Sequence, residues 1–289
     1  MRKFVYFICI ILTGALLGSC ADKKAGSTAG SPGDSLRIVS LNGTVSEVLV
    51  ALGMEKNIVG VDVTSTFPES LKSLPQVGHS HNLNTEAIIA LHPAYVVSLE
   101  ERGIKPEQAQ QLQQSGIKVL VLKQTYSVEG TKELIRALAA EFKKQTEAEK
   151  LIASLDEEIK ALPVYTSAPG VLFVYARGMG SLQVAGDDTP MSEMIRLAGG
   201  TPATGGSIQG FRPLTAEAVV SMNPQYILLF DTGLQSLDGA DGLMKVPGVA
   251  QTDAGKNRRF ISMDGQLLSG FGPRIALALK QLGEAIHQE

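Results

Sequence analysis

The residues in this chain best suited to chemistry are two histidines, His79 and His81, separated by Ser80. On an extended segment that spacing puts both imidazoles on one side of the backbone. Neutral imidazole is the commonest nitrogen donor to transition metals, and it also ligates haem iron. The pair therefore reads either as a metal or haem ligand set or as ordinary loop histidines behind Gly78. The other two histidines fall elsewhere. His92 stands beside Pro93, where a helix should end and a capping or surface role suffices. His287 lies in the C-terminal tail, where it should be solvated. No enzyme constellation accompanies them: there is no G-x-S-x-G, no H-E-x-x-H and no phosphate-binding glycine loop. Gly178-Met179-Gly180 reads as a loop approaching a ligand or a neighbouring backbone. Arg102, Arg177, Arg212 and Arg274 are loop cations that could meet an anionic ligand.

The stretch that must position the histidine pair, residues 76–99, occurs again in shortened form at 214–230. Aligning Leu83 with Leu214 brings Glu86 onto Glu217, Ala87 onto Ala218, Pro93 onto Pro224 and Tyr95 onto Tyr226. Each copy reads as a short amphipathic helix, a proline-containing turn that stops it, and a strand. The runs YVVSL and YILLF are apolar without alternation, as expected of strands covered on both faces. Only the first copy is preceded by the histidines. A second echo links SEVLVALG at 46–53 with SEMIRLAG at 192–199. Repetition at this distance implies two similar lobes rather than a short-period solenoid.

Strands are expected at 36–41, 58–63, 118–122, 171–176, 182–185 and 259–263. Helices are expected at 45–52, capped by Thr44 or Ser46, near 106–115, and from about Pro273. Residues 199–212 and 231–242 read as loops. The spacing of apolar residues predicts sustained helix over 131–162, ended by Pro163 and suited to a rod joining the lobes. The fold class is α/β: two Rossmann-like lobes with mainly parallel sheets, joined by one long linker helix. The domains are an N-terminal lobe over 36–142, the linker helix over 143–163 and a C-terminal lobe over 164–289. A ligand of such sheets belongs beyond the strand C-termini, in the cleft between the lobes.

At 289 residues, 44% hydrophobic and with net charge −3, the chain has room for two domains and no basic surface for nucleic acid. It has no tryptophan and only 5% aromatics, so stacking platforms are scarce. Both cysteines, Cys9 and Cys20, lie near the start, which leaves no disulfide framework. Arg2 and Lys3 precede an apolar run over 4–17 that is too short to span a bilayer comfortably. It ends in Leu17-Gly18-Ser19-Cys20. Residues 1–20 are thus expected to be a lipoprotein signal peptide with Cys20 lipidated. Residues 21–35, rich in Gly, Ser and Ala, are expected to form a flexible tether.

With these pieces in place, the chain resembles the haem-binding proteins of bacterial ABC importers, within the group that includes cobalamin- and siderophore-binding proteins. The resemblance runs over 36–289 and is carried by RIVSLNGTVSEVLVALG, VGHSHNLNTEAIIALHP, MSEMIRLAGG and LLSGFGPRIALALKQL. It implies a non-enzymatic substrate-binding lipoprotein, monomeric and lipid-anchored on the periplasmic side of the envelope. It would capture haem as its transported ligand and deliver it to a permease dimer driven by an ATPase. It further implies little hinge motion. Glu86 and Glu217 fall where the family docks one acidic residue per lobe onto permease arginines. His79 stands where the family usually has an axial tyrosine, and His81 where an arginine is common, so His79 is expected to be axial to the iron. Arg177 stands where one member has a histidine that helps hold a second haem, and it could pair with a propionate. Arg274 is a further candidate for that pairing. The departure at His79 leaves a siderophore or cobalamin carrier as the alternative. A chelatase, which shares this style of bilobal fold, is the enzymatic alternative, and the exported N-terminus argues against it.

Overall fold

The first helix begins two residues earlier than the sequence suggests, because Asn42 caps it. The Asn42 side-chain oxygen accepts from the backbone N–H of Thr44 at 2.8 Å, so neither Thr44 nor Ser46 is needed as the cap. The computed structural model describes residues 36–79, 82–101 and 103–288. The signal peptide, the tether, Cys20, His81 and Arg102 lie outside the described residues.

In chain order the first lobe contains β1 (Ile38–Ser40), α1 (Gly43–Ala51), β2 (Ile58–Val61), β3 (Gly78–His79), β4 (Asn82–Leu83), α2 (Thr85–Ala90), β5 (Tyr95–Leu99), α3 (Pro106–Gln114), β6 (Lys118–Leu122) and α4 (Val128–Phe142). The helix α5 (Gln145–Lys160) follows. The second lobe contains β7 (Gly170–Ala176), β8 (Leu182–Ala185), α6 (Pro190–Leu197), β9 (Thr201–Pro202), β10 (Phe211–Pro213), α7 (Ala216–Met222) and β11 (Tyr226–Phe230). It closes with α8 (Asp231–Gln235), α9 (Gly239–Leu243), α10 (Asp253–Lys256), β12 (Phe260–Met263), α11 (Gly265–Ser269) and α12 (Ile275–Ile286).

The first sheet runs β2-β1-β5-β6, all parallel. The second runs β10-β8-β7-β11-β12 with β9 beside β7. Its β7, β9, β11 and β12 are parallel, while β8 pairs antiparallel with β7 and β10 antiparallel with β8. Neighbouring residues enter opposite cores. Ile38 and Val97 pack with α1 and α4, whereas Val39 and Val96 pack with α2 and α3. In the second sheet Phe173 and Leu228 face α6 and α12, and Leu172 and Ile227 face the other layer. Cover on both faces is why these strands show no polar alternation.

The expected continuous helix over 131–162 is broken. Lys143 adopts a left-handed backbone (φ 57°), which ends α4 and lets α5 start at Gln145. The break has a packing cause. Leu134, Ile135 and Leu138 of α4 and Ala148 and Ile152 of α5 all enter the same first-lobe core, which a straight rod could not reach twice. Beyond that point α5 changes allegiance: Leu155 is buried in a second-lobe core, with Ile159 and Leu162 packed beside it. Deleting such a side chain to alanine costs about 2–5 kcal/mol in a typical core, so the linker belongs to both lobes energetically.

Two stretches read as loops carry structure. Residues 199–212 contribute β9 and the start of β10, and residues 231–242 form most of α8 and α9. Their glycines hid short-range periodicity. His92 does follow a helix end, with a left-handed φ of 45°, and Asn223 holds the equivalent place in the echo at φ 37°. His287 is half-buried and held against its neighbours rather than free in the tail. Its ring stacks on Tyr165 at 3.7 Å, and its nitrogens face the carbonyls of Gly283 and Ser167. Among the described residues no helix is long and apolar enough to cross a membrane.

Candidate functional site between the two lobes

Parallel strands end on one edge of a sheet, so the segments after β1, β2, β5 and β6 share one face of the first lobe. The segments after β7, β11 and β12 share the matching face of the second. These two faces meet. The Thr44 hydroxyl and the Gln124 amide both donate to the carbonyl of Gly270 at 2.7 Å. The Thr131 hydroxyl donates to the carbonyl of Phe271 at 2.9 Å, and the rings of Tyr126 and Phe271 lie 5.4 Å apart. The strand C-termini of both lobes therefore open onto a shared cleft, the usual ligand position for such sheets.

His79 belongs to the two-residue hairpin of β3 and β4, where it pairs with Asn82. Gly78 makes that strand pairing possible: it has φ 103°, and a Cβ there would lie 2.4 Å from the carbonyl oxygen of Asn82. The hairpin is pinned to the end of β2, since Val63 N–H donates to the carbonyl of Gly78 and Val77 N–H to that of Val61. His79 is exposed at this edge. Behind it lies Asp62, 2% exposed, which accepts from the Thr64 and Ser65 hydroxyls at 2.6 and 2.8 Å. Burial raises the Asp62 carboxyl above the ordinary range, opposed by those two hydroxyls and by the charge of His79.

On the second lobe, Arg177 follows β7. Its backbone N–H donates to the carbonyl of Ser181, closing the glycine loop, and its guanidinium lies 5.5 Å from the Tyr175 ring centre. The cavity there measures about 590 Å³ and is lined by Tyr175, Ala176, Arg177, Phe230, Thr232 and Ser236. Phe230 packs edge-on against Phe173 and Tyr175, so one wall is aromatic and one rim cationic. Exposed apolar side chains gather on the same edges: Phe67 (43%) after β2 and Met179 (50%) after β7. An apolar body with an anionic fringe suits this lining.

Arg274 faces a carboxylate, and the carboxylate belongs to the protein. Arg274 Nε donates to Glu47 Oε2 at 3.0 Å and Nη2 donates to Oε1, while its guanidinium stacks 3.7 Å from the Phe67 ring centre. Glu47 is 6% exposed, and burial lifts its carboxyl above the usual range against the pull of Arg274. Glu86 and Glu217 are exposed in the first turns of α2 and α7. Asn84, the cap of α2, is hydrogen-bonded through Val77 to the end of β2. Leu214, before α7, is bonded to Leu182, the partner of the last residue of β7. Both glutamates thus stand on the cleft-side edge of their own lobe. Among the described residues no group of three or more His, Cys, Asp or Glu gathers to hold a free metal ion.

The model of a family described as periplasmic binding protein matches residues 38–267. The chain belongs to that family. Among solved structures, the periplasmic binding protein described here is similar to the apo form of RhuT from Roseiflexus sp. RS-1, a periplasmic heme-binding protein. The identity is 39% over 88% of this chain and 98% of that one, with a TM-score of 0.83. It is 27% identical to YvrC of Bacillus subtilis, an uncharacterized ABC transporter substrate-binding lipoprotein, over 88% of this chain and 80% of that one. It is 25% identical to the vitamin B12-binding protein of Vibrio vulnificus, over 86% and 89% of the two chains.

Sequence reasoning found Arg177 in the cavity but missed most of this binding protein's cleft. Tyr175 and Phe230 read only as strand residues, and Met179 only as a loop residue. For Met179 the flanking glycines were the available signal. For Glu47 the signal was a carboxylate inside a helix that is otherwise uncharged, GTVSEVLVA.

Proposed function

We propose that this chain is the substrate-binding component of an ABC importer that captures haem in the inter-lobe cleft and delivers it to a membrane permease dimer with its ATPase. The observation that carries the reading is the near full-length, 39% identical relationship to a haem-binding protein of the same family. The cleft chemistry agrees with it. Haem is a flat apolar ring with two carboxylates and an iron. Tyr175 and Phe230 offer the aromatic wall, Arg177 meets a propionate, and His79 supplies the iron ligand, with His81 as its neighbour. The chain works as a monomer and performs no chemical step on its cargo. Titration of the purified protein with hemin is expected to give a saturable Soret shift, with cyanocobalamin and a ferric siderophore leaving binding unaffected. No Soret shift, with saturable binding of cyanocobalamin or the ferric siderophore instead, would overturn the haem reading.

The family also contains vitamin B12-binding relatives. Cobalamin is the second reading because it too is a metal macrocycle, and the same titration separates the two. Cys20 is proposed as the lipid anchor, on the strength of the Leu17-Gly18-Ser19-Cys20 run and the lipoprotein relative. Cys20→Ala should shift the protein out of the membrane fraction or leave it unprocessed. Normal maturation with membrane retention would refute the anchor.

A further inference from the structure

We infer that Glu47, Gln266 and Arg274 form a latch between the lobes that sets the width of the cleft, so that Arg274 positions the cargo site rather than touching the cargo. Glu47 sits on α1 in the first lobe, yet both of its oxygens are satisfied from the second. Arg274 reaches both, and Gln266 Nε2 donates to Oε1 at 2.6 Å. The other end of the Gln266 amide is used as well: its Oε1 accepts from the Thr66 backbone N–H at 3.1 Å and the Thr66 hydroxyl at 3.0 Å. The first lobe thus holds Gln266 from two directions. The backbone is shaped to admit it, because a Cβ on Gly43 would lie 2.7 Å from the Gln266 amide carbon. A buried carboxylate stripped of its partners is strongly unfavourable. Any opening that separates α1 from α11 and Arg274 would strand Glu47 in that way. A cargo propionate that captured Arg274 would do the same, whereas Arg177 lines the cavity and is suited to the cargo.

The cargo half of this inference rests on the haem reading, and the latch itself does not. Two measurements on the full chain keep them apart. Hydrogen–deuterium exchange without cargo should quicken about tenfold or more in residues 42–47 and 265–274 of Glu47→Gln and Arg274→Gln, with β5 and β11 as protected as before. Gln266→Ala, which keeps the ion pair, should loosen the same segments less and guards against a variant that fails to fold. Hemin and hemin dimethyl ester should then both bind about tenfold more weakly to either charge variant, and the double variant should be no worse than the singles. Unchanged exchange in every variant overturns the latch. Weaker hemin but unaltered ester binding in Arg274→Gln, with Glu47→Gln neutral, overturns the positioning role in favour of a propionate contact. If wild type binds neither porphyrin, the haem reading fails and the exchange result alone decides the latch.

Discussion

His79→Ala is expected to shift the Soret band of the hemin complex and to weaken binding by on the order of a hundredfold, since loss of even an outer partner of a metal ligand costs 10–100-fold. The expectation rests on a histidine held at the cleft edge by a hairpin that only a glycine permits. His81→Ala should have the smaller effect. Hemin titrations of wild type and both variants make the comparison. An unaltered spectrum and affinity in His79→Ala would sink the axial role. An unaltered double variant would move the siderophore reading ahead.

The second large effect is expected at the two glutamates. Glu86→Lys or Glu217→Lys should abolish cargo transfer to the permease while hemin titration stays as in wild type. Both residues are exposed in the first turn of a helix whose start is tied to the cleft-side strand ends. If these helix starts meet basic groups of a permease, as the resemblance implies, reversal would set like charges against each other there, which costs several kcal/mol. A single reversal should therefore suffice. Uptake measured in reconstituted membranes beside hemin titration of the same variants gives the test. Loss of hemin binding in a folded variant would place these residues in the cargo site instead.

The repeat made much of this architecture readable. The offset that matches Leu83 with Leu214 also matches β5 with β11 and His92 with Asn223, because a helix, a left-handed stop and a doubly covered strand each leave a local signature. What stayed hidden depends on partners far away in the chain. Nothing near Lys143 announces a left-handed turn: the residue adopts it because two helices must reach one core. Arg274 reads as a free loop cation until α1 is placed beside it, 227 positions away. The same holds for His287, whose tail position says nothing of Tyr165. Local propensity is legible from sequence, and pairing across the cleft is not.

The change of allegiance along α5 bears on how the molecule comes apart. Ile152 and Leu155 are within one turn of each other yet lie in different cores. Neither lobe has a closed interior without Gln145–Lys160, and a chain severed there would leave an apolar stripe in water on both fragments. The two lobes look like separate domains but should melt in one transition, so that a cavity cut on either side of that turn lowers the same single midpoint in a calorimetric scan.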